Sequence, residues 1–304
     1  MDRRNFAAGL LAGLAGLVPN LVRAGPVRVA EREGASSFAA LERRAGGRLG
    51  AFVLDAATGR SLGWRADERF GLCSTFKLGL AACVLARIDD GRLRPDEVLP
   101  YRAADLLPNS PVTGAHAGAG GMTVLALAEA AQTVSDNLAA NLLLRRIGGP
   151  AALTRWWRSL GDRVTRLDRY EPGLNFVPAG EVRDTSTPRA TAYAVSRIVS
   201  TRVLKPDSRE RLLGWMVGTR TGLARIRAGL PDGWHAGDKT GTAMRQGMGN
   251  MVNDIAFAYP PGAPGPLVIV GFFRAAGHSP EVETAHEAAL RELGRVAAAW
   301  HDAA

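Results

Sequence analysis

Hydrophobic and polar positions change period along this chain, and the changes divide it. From Phe38 to Ala45 apolar residues recur at helical spacing until Gly46-Gly47 stops them, and Leu49 to Leu54 then reads as a strand. Asp55 to Gly59 has turn chemistry, and Ser61 to Trp64 completes a predicted hairpin. Ser74 to Ile88 is apolar nearly all round and ends at Asp89-Asp90-Gly91, the pattern of a helix buried in the protein, with Ser74 at its start. Helical periodicity continues through Met122 to Thr133, Leu138 to Ile147, Ala151 to Leu160, Ala190 to Ser200 and Ser208 to Val217. Strands follow at His235 to Thr242, Ile255 to Tyr259 and Leu267 to Phe273. A last helix is predicted with Ser279 as cap and Pro280 at its first position, with Val282, Ala289, Leu293, Val296 and Trp300 on one face. Strand-forming stretches thus lie at both ends of the chain. The pattern predicts an α/β fold: a five-stranded, mainly antiparallel sheet flanked by terminal helices, built from residues 25–70 and 217–304, with an all-helical region, 71–216, inserted between them.

The first 24 residues follow neither period. Arg3-Arg4, then Asn5 and Phe6, precede an apolar stretch from Ala7 to Val18, and Val22-Arg23-Ala24 offers a cut after Ala24. This reads as an export signal of the twin-arginine type, with a general secretory leader as the alternative. The apolar run falls short of the roughly 20 residues of a spanning helix. The expectation is a monomeric mature protein, periplasmic or secreted, with no stable membrane anchor.

Composition narrows the function further. A chain 46% hydrophobic and 22% charged is expected to fold rather than stay disordered. The net charge of +9 raises the question of nucleic acid, but the arginines are scattered, with no basic stripe or aromatic platform, so no nucleic-acid partner is expected. The five histidines lack metal-ligand spacing, and neither metal nor cofactor is predicted. Cys73 and Cys83 lie in one predicted helix, roughly 15 Å apart by helical rise and beyond disulfide reach. Of the 38 cationic residues only three are lysines, at 77, 205 and 239. Lysine can lose its proton in a desolvated site where arginine cannot, and two of the three sit in short motifs.

Ser74-Thr75-Phe76-Lys77 places a hydroxyl and an amine on one helical face, where the amine can take the serine proton. Alone it carries little, since about one Ser-x-x-Lys arises by chance in a chain of this length. Ser135-Asp136-Asn137 begins a helix and by itself is an ordinary cap. Lys239-Thr240-Gly241, followed by Thr242, is by itself strand and turn; a phosphate loop is excluded because no glycine-rich segment of the required form precedes Lys239.

Together, in this order, the three motifs resemble those of the serine β-lactamases and penicillin-binding proteins. Glu171-Pro172-Gly173-Leu174-Asn175 further resembles the Glu-x-x-Leu-Asn element of class A β-lactamases, the branch that frees itself by hydrolysis. Ser110-Pro111-Val112-Thr113 and Leu230-Pro231-Asp232-Gly233-Trp234 extend the likeness over essentially the whole mature chain.

The resemblance implies a β-lactamase-like fold and hydrolysis of penicillins and some cephalosporins. It implies Ser74 as nucleophile, with Lys77 or Glu171 as its base, and an oxyanion hole from the backbone N–H groups of Ser74 and Thr242. Ser135 would relay a proton to the ring nitrogen, and Glu171, with Asn175, would activate the deacylating water. Lys239, Thr240, Gly241 and Thr242 would hold the substrate carboxylate and Asn137 its amide side chain. An Ω-type loop over 166–184 would be tied by Arg169 and Asp184, with a cis bond before Pro172. Departures from the pattern are also visible. Met248-Gly249-Asn250 lacks the arginine many relatives use for the carboxylate, and Arg225 matches the place from which a subgroup supplies it. Asn109 stands where an aromatic wall is common, and the segment 244–251 is longer than in close relatives. Ala243 stands where some carbapenem-hydrolysing members have a disulfide partner for Cys73, so no bridge is expected. The alternatives are a penicillin-binding DD-peptidase and a non-hydrolytic β-lactam receptor.

Overall fold

The computed structural model describes residues 26–303, with side chains from residue 36 onward, so the export signal read at 1–24 lies outside the described residues. In chain order the principal elements are α1 (Pro26–Ala45), β1 (Gly47–Asp55), β2 (Ser61–Trp64), α2 (Phe76–Asp89), the short α3 (Pro111–Ala115), α4 (Val124–Thr133), α5 (Asn137–Ile147), α6 (Pro150–Ser159), α7 (Pro188–Ser200), α8 (Pro206–Val217), β3 (His235–Ala243), β4 (Met251–Tyr259), β5 (Leu267–Ala275) and α9 (Thr284–Asp302). Pro150, Pro188 and Pro206 open their helices, where a missing N–H costs nothing.

The five strands form one antiparallel sheet in the order β2-β1-β5-β4-β3. The N-terminal hairpin therefore docks on the last strand, and β3, which carries Lys239-Thr240-Gly241, is an edge. Side chains alternate across the sheet with period two. Leu49, Val53, Val252, Ile269 and Phe273 face α1 and α9 in one core, where they meet Phe38, Leu290, Leu293 and Trp300. Phe52, Leu54, Ile255, Val268 and Phe272 face the helical region in the other. At the centre of that second core runs α2, buried from Phe76 to Leu85 as its all-round apolar sequence requires. A Cβ added to Gly79 there would come 2.6 Å from the Trp157 indole nitrogen, so α2 and α6 touch at a point that admits no side chain.

Several boundaries differ from the sequence expectation. Helix α1 starts at Pro26 rather than Phe38. Ser74 stands not in α2 but in a 3₁₀ turn, Cys73–Thr75, that leads into it. Strand β4 begins at Met251, four residues ahead of the predicted Ile255, because Asn253 and Asp254 break the apolar run yet lie buried within the strand. The last helix starts at Thr284, not Pro280: Asn250 Nδ2 donates to the carbonyls of Ser279 and Glu281, holding 279–281 in a turn instead. Two-residue pairings, Phe70–Gly71 with Thr185–Ser186 and Val98–Leu99 with Met122–Thr123, carry too few residues to show a period. Both cysteines are free and buried, and Cys73 packs with Val177, Ala243, Met248 and Met251.

Candidate active site

Ser74 lies where the helical core meets β3, the edge strand of the sheet. Its turn begins at Cys73, whose φ of 48° is left-handed, and Thr75 Oγ1 donates to the Leu72 carbonyl at 2.6 Å to close it. β3 presses directly on this turn. A Cβ at Gly241 would lie 2.9 Å from the Leu72 carbonyl oxygen and 3.0 Å from Cys73 Cβ, so glycine is what lets Lys239 and Thr242 flank the serine.

Lys77 projects from the first turn of α2 and is wholly buried. Its Nζ lies 3.0 Å from Ser74 Oγ, 2.8 Å from the Ser135 carbonyl, 3.3 Å from Ser135 Oγ, 2.6 Å from Asn137 Oδ1 and 3.2 Å from Glu171 Oε1. An ammonium has three N–H bonds and cannot donate to all five, whereas a neutral amine has a lone pair for the serine proton. Burial lowers the Lys77 pKa from the ordinary lysine value, against the raising pull of Glu171.

Ser135-Asp136-Asn137 serves as cap and site at once. Asp136, fully buried, accepts from Ala139 N at 2.9 Å and so starts α5, and it also accepts from the backbone of Val112 and Thr113 to start α3. The cap fixes its neighbours: Ser135 takes a φ of 62°, and Asn137 Oδ1 turns to Lys77 while its Nδ2 donates one hydrogen to the Pro108 carbonyl at 2.8 Å. The second amide hydrogen is left for another acceptor. Exposed Asn109, also at positive φ, donates to the Ser135 carbonyl at 2.9 Å, so this wall is polar and stitched to the site.

Glu171 is buried, with Oε1 3.5 Å from Ser74 Oγ and Oε2 accepting from Asn175 Nδ2 at 2.6 Å. The Glu171–Pro172 peptide is cis. The loop closes through Asp184, which accepts from the backbone N–H of Asp168 at 2.7 Å and of Arg169 at 3.0 Å and pairs with the Arg169 guanidinium. The same guanidinium donates to the Phe176 carbonyl. Pairing 166 with 168 is separate and half exposed. Beyond the loop an open cleft is lined by Gly173, Phe176, Met244, Arg245, Gln246 and His278, with Arg245 reaching the Pro172 carbonyl at 3.1 Å.

From β3, Lys239 Nζ donates to Ser135 Oγ at 3.2 Å and to the Thr240 carbonyl at 2.9 Å. Burial, then the charge of Lys77, push its pKa down to about 7. Thr240 Oγ1 contacts Thr221 Oγ1 at 2.7 Å. Arg225 stands one layer behind: it is buried, and its guanidinium donates to Glu287, to the carbonyls of Gly241 and Asn253, and to Thr242 Oγ1 at 2.9 Å. It therefore reaches the cleft through Thr242, which must turn its own hydroxyl hydrogen elsewhere.

The structure thus brings Ser74, Lys77, Ser135, Asn137, Glu171, Asn175 and Lys239 into one hydrogen-bonded network, with Thr240, Gly241 and Thr242 beside it and Arg169 with Asp184 at the loop base. Sequence reasoning missed Asn141, one turn of α5 beyond Asn137. Its side chain accepts from Glu171 N at 3.0 Å and donates to Glu171 O at 2.9 Å. An asparagine in a helix interior, where it is disfavoured, was the available signal. It also missed Asn253, whose Nδ2 ties β4 to the Gly71 carbonyl at 2.8 Å.

A serine bonded to a buried lysine, with a carboxylate alongside and a cationic sheet edge opposite, is the equipment of a serine acyl-transfer hydrolase. Comparison with known proteins agrees. The β-lactamase enzyme family matches residues 34–300. The chain is 44% identical to β-lactamase L2 of Stenotrophomonas maltophilia over 263 residues, covering 86% of this chain and 84% of that one. It is 46% identical to a β-lactamase of Streptomyces fradiae over 278 residues, 88% of each. Among solved structures, an ancestral class A β-lactamase superposes with a TM-score of 0.81 at 50% identity, over 86% of this chain and 98% of that one. The chain belongs to the β-lactamase enzyme family, in its class A branch.

Proposed function

We propose that this protein hydrolyses the β-lactam ring of penicillins and some cephalosporins through an ester on Ser74, and so confers resistance to them. The observation that carries this reading is the Glu171 carboxylate 3.5 Å from Ser74 Oγ, bonded to Asn175 and held at its backbone by Asn141. A receptor or peptidase that only becomes acylated needs no such group.

Neutral Lys77, 3.0 Å from Ser74 Oγ, takes the serine proton as the oxygen attacks the lactam carbonyl. Negative charge develops on that carbonyl oxygen, which the backbone N–H groups of Ser74 and Thr242 receive. The proton passes from Lys77 to Ser135 Oγ and on to the ring nitrogen as the C–N bond breaks. Lys239, Thr240 and Thr242 bind the substrate carboxylate, with Arg225 orienting Thr242, and the spare Asn137 amide hydrogen binds the acyl side chain. Glu171 then removes a proton from water, the water attacks the ester, and the proton held on Glu171 passes to Ser74 Oγ as the ester C–O bond breaks and the acid leaves. The same reading makes the protein an exported one, supported by the Arg3-Arg4 leader. Among the described residues no helix is long and apolar enough to cross a membrane.

Intact-mass spectra taken during turnover of a chromogenic cephalosporin test the reading. Wild type should turn over with no lasting adduct, Glu171→Ala should accumulate a one-to-one adduct, and Ser74→Ala should form none. A persistent stoichiometric adduct on wild type would overturn the hydrolase assignment in favour of a receptor or peptidase.

A further inference from the structure

Behind the strand that carries Lys239 lies a group of charged side chains that the reaction above leaves unused. Asp238 and Asp254 are both wholly buried. Thr240 stands opposite Asp254 and Asp238 opposite Ala256, so the two carboxylates leave the same face of the sheet as diagonal neighbours on β3 and β4. Consecutive residues of the 3₁₀ turn Ile226–Gly229 pin one oxygen of each: Ile226 N donates to Asp254 Oδ2 at 3.1 Å, and Arg227 Nε to Asp238 Oδ2 at 2.9 Å. The other oxygen of each, Oδ1, is buried without a hydrogen-bond partner.

The donors around them are committed elsewhere. Arg227 spends Nη1 on the Val217 carbonyl and Nη2 on that of Thr219. Arg225 spends its nitrogens on Glu287, Gly241, Asn253 and Thr242. Lys239 Nζ points to Ser135 and the Thr240 carbonyl, and Gln132 Nε2 to Thr219 Oγ1 and the Asp238 carbonyl. Two orphaned acceptors, one on each of two neighbouring buried carboxylates, are defects that one proton held between them would remove together: one Oδ1 becomes a donor and the other its acceptor.

We propose that Asp238 and Asp254 share a single proton between their Oδ1 atoms, forming a positioning pair of one net negative charge that holds Lys239 charged and in place for substrate. The charged groups around the pair are Arg225, just ahead of the 226–229 turn, Arg227 within it and Lys239, which leaves the opposite face of β3 beside Asp238, with Glu287 of α9 offsetting Arg225. Burial raises both carboxyls above the carboxylate range, and for Asp238 the charge of Asp254 adds to it, against the pull of the arginines and Lys239. An acid raised on folding stabilises in its protonated form, so this contribution is present at low pH and is lost as pH rises through the folded pKa.

The proton itself stands independently of the hydrolase reading; only its effect on Lys239 rests on that reading. Neutron diffraction from deuterium-exchanged crystals of the full chain should place one deuteron between the two Oδ1 atoms. The infrared difference between wild type and Asp254→Asn at neutral pH should show a protonated-carboxyl stretch that shifts in heavy water. Water donating to both Oδ1 atoms, or no such band, would overturn the proposal. Asp254→Asn, whose amide is a permanent donor, should lack the alkaline fall in melting temperature that wild type shows. Asp254→Leu, which offers no donor, should raise KM for carboxylate-bearing substrates about tenfold with little change in kcat, and Asp254→Asn should restore most of it. The band without that KM change would overturn the link to Lys239 and leave both the shared proton and the hydrolase reading standing.

Discussion

Replacing Asn141 with alanine cuts the two hydrogen bonds, 3.0 and 2.9 Å long, by which α5 holds the Glu171 backbone. Each buried polar group left unsatisfied costs ~1–3 kcal/mol, so the substitution should destabilise by roughly 2–6 kcal/mol, near the lower end where water enters the truncated space. At that lower end, about 2–3 kcal/mol, the loss corresponds to a fall in Tm of roughly 5–10 °C in a protein of this size. Destabilisation alone would fit any buried asparagine; the kinetics discriminate. In the proposed mechanism Glu171 acts on the ester and Lys77 on the serine, so loosening Glu171 should slow deacylation and spare acylation. If only about 1.4 kcal/mol of the loss appears in the deacylation barrier, that step slows about tenfold. Stopped-flow hydrolysis of a chromogenic cephalosporin should then show a burst of one equivalent before a slower steady state, with a matching adduct by mass. A lowered Tm with no burst and no adduct would refute the reasoning and reduce Asn141 to a fold-stabilising residue.

Three further outcomes follow from the same geometry. Arg225→Ala should raise KM about tenfold for carboxylate-bearing substrates and change kcat within about twofold, and Arg225→Lys should not restore it, because one ammonium cannot serve Glu287, the Asn253 carbonyl and Thr242 together; steady-state kinetics decide, and an unchanged KM would remove Arg225 from the site. Arg169→Ala leaves the fully buried Asp184 carboxylate uncompensated and should cost ~3–5 kcal/mol, whereas Arg166→Ala breaks a half-exposed pair with Asp168 worth about 0–1 kcal/mol; equal urea midpoints for the two would contradict this. Because burial and Lys77 depress Lys239 to about 7, its ammonium is present below that pH and lost above it in the free enzyme. The ratio kcat/KM should therefore fall as pH rises through about 7, and Lys239→Arg, which keeps its charge, should abolish that limb of the pH profile.

What could be read in the sequence was what is local or periodic. Short unbroken apolar runs at 49–54 and 267–273 identified strands because each packs apolar residues on both faces of one sheet, and the longer apolar run after Ser74 marked a helix with no solvent face. The motif residues were legible because chemistry requires them at fixed spacing. Partners distant in the chain were not. Asn253 and Asp254 look like the end of a strand until Gly71 and Ile226 are seen to satisfy them. Ser279-Pro280 has ordinary helix-start chemistry, and only Asn250 shows why the helix waits for Thr284. The partners of Arg225 were not legible because nothing near it in sequence reveals Glu287 or Thr242.

The sheet order has a consequence for how this protein comes into being. Its middle strand, β5, is the last to leave the ribosome, yet it joins the N-terminal hairpin to the edge that carries Lys239. A nascent chain that already displays Ser74 and Lys77 has no Lys239 edge to set against them and no sheet to hold that edge there. Under the proposed chemistry the drug cannot acylate an unfinished molecule efficiently. A fluorescent penicillin bound to Glu171→Ala would therefore light up only chains translated to completion and closed, making the covalent label a count of finished copies.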